Sequence, residues 1–66
     1  MKNDFYTIVG ICTNGARFYS DMLLNNDQVI SCLDQYAGVV HYFGGGTVYV
    51  YHIVDSVPEM TFSKKI

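Results

Sequence analysis

The chain has 66 residues, half of them hydrophobic, with 15% charged and a net charge of −2. That length holds one domain, residues 1–66, and the apolar share excludes a disordered chain, while charge lies well below the roughly 25% usual in soluble domains. No apolar run approaches the roughly 18 residues of a membrane span, and Lys2, Arg17, Lys64 and Lys65 form no basic stripe for nucleic-acid phosphates.

Phe5 to Cys12, FYTIVGIC, is rich in β-branched and aromatic residues and predicts a strand. Asn14-Gly15 follows, then RFYSDMLL. Asn-Gly between two apolar runs is the strongest short hairpin signal, because both residues accept the positive φ of a type I′ turn. A two-residue loop sets Thr13 opposite Ala16, Ile11 opposite Phe18 and Gly10 opposite Tyr19. One face of the hairpin then carries Phe5, Val9, Ile11, Phe18, Met22 and Leu24. The other carries Tyr6, Ile8, Cys12, Arg17, Tyr19, Asp21 and Leu23. The first is the purer and is expected to be the core.

Asn25 or Asn26 can cap a helix, and Asp27 suits the positive end of its dipole. Val29, Ile30, Leu33, Tyr36 and Ala37 fall at helical spacing, and Gly38 is a natural stop, so the helix is expected over Asp27 to Ala37. Val39 to Phe43 reads either as a short strand or as a further helical turn. Gly44-Gly45-Gly46 breaks either one. Thr47 to Asp55, TVYVYHIVD, predicts a strand. Pro58 cannot donate to a ladder, so residues 58–66 are expected as a flexible tail. The fold class is α+β: a small antiparallel sheet made of a hairpin and one or two later strands, with the helix packed on one face. The last strand pairs most simply with the first, giving the order 2-1-3.

Catalytic and metal chemistry find little support. Cys12, Cys32, His41 and His52 lack the close paired spacings of zinc ligands. Neither cysteine has a base and an orienting residue beside it, as a nucleophile needs. The glycine triplet precedes a strand, whereas phosphate cradles precede a helix. No enzyme activity, metal or cofactor is therefore expected. The apolar stretch of MKNDFYTIVGIC is short for a signal peptide, which implies a cytoplasmic chain with two buried thiols.

The six tyrosines are the informative feature. A single helix covers one face of a sheet, and the other face is expected to expose Tyr6, Tyr19, Tyr49 and Tyr51 with Ile8 and Ile53. Arg17 and Asp21 form its polar rim. Tyrosine joins a large apolar area to a hydrogen-bonding tip and is enriched at protein interfaces. These residues are the candidate binding site, for a protein partner or a second copy in a homodimer, and not for nucleic acid or membrane.

With YTIVGICTNGARFYSDM as hairpin, NNDQVISCLDQYAG as helix and TVYVYHIV as strand, the layout resembles the short β-β-α-β proteins that tailed bacteriophages and prophages make early in infection. The resemblance implies binding and inhibition of a host enzyme or an anti-phage defence complex, and the leading expectation is a non-enzymatic module that blocks or modulates a protein partner through its sheet face or edge strand. The alternative is a small homo-oligomeric domain that binds a small ligand in an aromatic cleft between subunits.

Overall fold

In the computed structural model, which describes residues 5–20 and 25–66, four strands and one helix follow in chain order. They are β1 (Phe5–Cys12), β2 (Arg17–Tyr19), α1 (Asn26–Tyr42), β3 (Gly46–Val54) and β4 (Val57–Lys65). The sheet is antiparallel throughout, in the order β2-β1-β3-β4. The class is α+β as expected, and the order 2-1-3 is present with a fourth strand added beside β3.

The first hairpin differs from the sequence reading by one residue of register. Its loop has three residues, not two. The Gly15 N–H donates to the Cys12 carbonyl (3.0 Å), the Cys12 N–H donates to the Ala16 carbonyl (2.8 Å), and Gly15 alone takes positive φ, at 94°. Asn14 stays at negative φ and accepts the Ala16 N–H on its side-chain oxygen (2.9 Å). This is a type I turn closed by a left-handed glycine. The strands therefore pair as Val9 with Tyr19, Gly10 with Phe18 and Ile11 with Arg17. Phe18 moves to the side of Ile8 and Cys12, and Arg17 and Tyr19 move to the side of Val9 and Ile11.

The type I′ loop occurs instead in the second hairpin. Val54 pairs with Val57 across Asp55 and Ser56, both at positive φ (50° and 65°). This turn makes the segment after Pro58 a strand where a flexible tail was expected. Pro58 lies within the strand and costs little there, because β4 is an edge. Backbone bonds in both directions between Ile66 and Gly46 close the far end (2.8 and 3.3 Å).

The helix is longer than its expected span. Asn25 is the N-cap, forming a reciprocal capping box with Gln28 (3.0 and 2.9 Å). The helix runs through Gly38 and ends in a Schellman motif: Gly45 N–H donates to Val40, Gly44 N–H donates to His41, and Gly44 has φ 99°. Residues 39–42 are thus a further helical turn, whose reward is Val40, fully buried against the sheet. The inward stripe is Val29, Cys32, Leu33, Tyr36 and Val40. Ile30, expected on that stripe, is instead 72% exposed.

The core comprises Ile8 and Cys12 of β1, Val48 and Val50 of β3, and Val40 of the helix. Its centre depends on Gly10, where a Cβ would lie 3.1 Å from Val40 Cγ2. Gly46 is constrained harder. A Cβ there would strike the Ile11 carbonyl oxygen and lie 2.7 Å from Cys12 Cα.

Two stability outcomes follow. Gly46→Ala lowers stability by about 3 kcal/mol or more, since backbone atoms cannot yield as a side chain would. Asp55→Asn with Ser56→Gly removes left-handed strain and raises stability by about 1 kcal/mol, roughly 4–8 °C in Tm by calorimetry.

Candidate protein-binding face

Strand alternation divides the sheet into two chemically different sides. The odd-numbered residues of β1 and β3 face away from the helix. Partners in register lie side by side, so this open face can be read in rows across the strands. One row is Tyr19, Val9, Tyr49 and Ser63. The next is Thr7, Tyr51 and Met60, followed by Phe5, Ile53 and Pro58. At the other end lie Arg17, Ile11, Thr47 and Lys65.

None of these side chains is fully buried. Tyr19 and Met60 are more than half exposed, Phe5 and Ile11 are exposed, and Val9, Tyr49, Tyr51 and Ile53 are half-buried. The β4 residues reach their places through a bulge. The register shifts between Val50 and Tyr51, so that Phe62 pairs with Val50 and Met60 with Tyr51. The two side chains therefore lie on opposite faces.

Charge separates as well. Among the described residues the strands of the open face carry Arg17 and Lys65 and no carboxylate, and Asp55 lies in the β3–β4 turn at the opposite end. Asp27 and Asp34 lie on the exposed side of the helix, and Glu59, paired with His52, lies on the helix side of β4. Arg17 and Lys65 bracket the Ile11–Thr47 row, about 14 Å apart across three strand spacings.

Of the residues proposed from sequence, Tyr19, Tyr49, Tyr51 and Arg17 come together on this face. Tyr6 does not. It is an even-numbered residue of β1, half-buried on the helix side, with its ring stacked on His52 at 4.8 Å. Ile8 is likewise on the helix side and fully buried. Asp21, and with it Met22, Leu23 and Leu24, lies outside the described residues. Phe5, Val9 and Ile11 belong to the open face, although the purity of their side of the strand had marked them as core. Met60 was missed because its segment was read as a tail. The helix approaches the side of β1 that carries Gly10, and that parity was the available signal.

Cys12 is buried and Cys32 half-buried, both as free thiols. Among the described residues no three His, Cys, Asp or Glu side chains group as metal ligands, and no helix is long and apolar enough to cross a membrane. Comparison with family models, curated proteins and solved structures finds no match to the chain.

The face assignment has a direct test in urea unfolding. Ile8→Ala costs about 3 kcal/mol, with transfer and cavity terms both present. Ile11→Ala costs about 1 kcal/mol or less. The purity of the strand faces alone predicts the reverse order.

Proposed function

We propose that the chain is a non-enzymatic protein-binding module whose open sheet face is the working surface. The observation that carries this reading is the composition of that face. Three tyrosines, two isoleucines, a valine, a phenylalanine and a methionine lie contiguously on one side of the sheet, with no other described element packed on them. Apolar patches of this kind mark interaction sites. Tyrosine supplies contact area with few rotors and a polar tip. The partner surface that complements it has an apolar centre and carboxylates placed for Arg17 and Lys65.

The narrower reading is an inhibitor or modulator of a host or defence protein, of the kind phages encode. It is supported by the hairpin–helix–strand layout, to which β4 adds one strand. A second copy of the chain is a weaker complement to the open face, since the strands of its own open face bring two more cations, and its nearest described carboxylate, Asp55, lies in the β3–β4 turn at the opposite end.

Affinity capture from host-cell lysate with mass spectrometry tests the surface through its variants. Tyr49→Ala and Tyr51→Ala retain their circular dichroism spectra and weaken capture about thirtyfold, the loss of a hot spot worth roughly 2 kcal/mol. Gln35→Ala, on the helix, leaves capture unchanged. Normal capture by both tyrosine variants, with loss in the helix variant, would move the working surface to α1. A doubled mass by light scattering at micromolar concentration, abolished by Tyr49→Ala, would assign the face to self-association.

A further inference from the structure

The outer edge of β2, which no described strand occupies, has features that the open face does not explain. The Cys12 N–H donates to Ala16, and the Ser20 N–H donates to Ile8 (3.0 Å). Hydrogen-bonded pairs alternate along an antiparallel ladder. The bonded pairs are thus Cys12 with Ala16, Gly10 with Phe18 and Ile8 with Ser20. Arg17 and Tyr19 consequently turn their N–H and C=O groups away from β1, toward an edge that no described strand occupies.

Along this edge, between β2 and α1, runs a groove of about 350 Å³ lined by Arg17, Phe18, Tyr19, Tyr36 and Val39. That volume is at the lower end of small-ligand sites and holds one large side chain. Arg17 is the one charged residue among those lining it. The opposite edge of the sheet is different. β4 carries Pro58, a bulge and the Lys64-Lys65 pair, which are the usual guards against strand addition. β2 has no proline and no bulge.

We propose that the β2 edge is a strand-addition site for an extended, acidic segment of a partner protein, with one apolar side chain of that segment seated in the groove between β2 and α1. The proposal rests on the protein-binding reading and gives it a second surface, the edge beside the face. The ladder fixes the pattern. In an antiparallel added strand, two residues bond to Tyr19 and Arg17, and the residue between them lies opposite Phe18. That middle side chain shares the face of Phe18 and enters the groove toward Tyr36 and Val39. The residue after it lies beside Arg17 on the open side, where a carboxylate meets the guanidinium. Read from N to C terminus, the segment is any residue, an apolar residue, then Asp or Glu. Main-chain bonds supply affinity and the alternate side chains supply selection, as in other strand-addition sites. A second copy fits less well, because in this register its own β2 sets a tyrosine, Tyr19, beside Arg17 where a carboxylate is wanted.

The test is an NMR titration of the full ¹⁵N-labelled chain with the capped heptapeptide STTLETS, which sets leucine opposite Phe18 and glutamate opposite Arg17. The amides of Arg17 and Tyr19 are expected to shift and to gain protection from hydrogen exchange. The control peptides STTAETS and STTLKTS bind about tenfold or more weakly, in line with loss of an anchor side chain. The exposed substitution Arg17→Glu reverses the preference, favouring STTLKTS over STTLETS. Three results would overturn the proposal: no shift at Arg17 or Tyr19 with millimolar peptide, shifts confined to Tyr49 and Tyr51, or concentration-dependent protection of the Arg17 and Tyr19 amides without peptide, which would give the edge to a second copy. Capture through Tyr49 is read separately, so a blank titration with intact capture removes the edge and leaves the face.

Discussion

The helix meets the sheet over a bare stretch of backbone, and the rest of the architecture depends on that contact. Gly10 lacks the Cβ that would press on Val40, so the helix descends until Val40 is fully enclosed by Ile8, Val48 and their neighbours. Each fully buried aliphatic side chain of this kind contributes roughly 1.5–3 kcal/mol. With so few of them, the chain sits at the small end of what a single core supports. A helix is about 10 Å wide and strands are spaced at nearly half that, so one helix can cover only two strands. It covers β1 and β3, the central pair. The edges and the whole opposite face are left to other contacts.

The hairpin loops decide which side chains share a face. Asn14-Gly15 is the sequence that most strongly suggests a two-residue turn, yet Asn14 satisfies the Ala16 N–H with its side chain and the loop takes three residues. One residue of slip is enough to carry Phe18 into the core and Arg17 and Tyr19 out of it. Asp55-Ser56, much less telling as a sequence, forms the tight turn. Strand pairing along nine residues of β3 holds both residues in a conformation that neither prefers.

Elements set by strong local patterns were legible in the sequence. These were β1, a capped helix start at Asn25 or Asn26, β3, the α+β class and the pairing of β3 with β1. Elements set by tertiary contact were not. Gly38 reads as a stop, but its cost in a helix is about 1 kcal/mol, less than burial of Val40 returns. Pro58 reads as the end of order, but only an internal strand would suffer from its missing N–H. For the candidate site, alternation along β3 correctly placed Tyr49 and Tyr51 together. Tyr6 was misplaced because the apolar purity of Phe5, Val9 and Ile11 was equated with burial. The small residue that admits the helix lies on the opposite side of the same strand.

The two central strands thus carry two messages in alternate letters. In β1 and β3 the even positions, with Ile8, Gly10, Val48 and Val50 among them, specify the fold. The odd positions, with Val9, Ile11, Tyr49 and Tyr51 among them, specify what the molecule presents to others. Substitutions can accumulate in one set with little effect on the other. A lineage of such chains could exchange one binding specificity for another within the eight odd positions of these two strands while its core stayed unchanged. Two descendants could then share an architecture and the buried half of each central strand while differing at every exposed position along it.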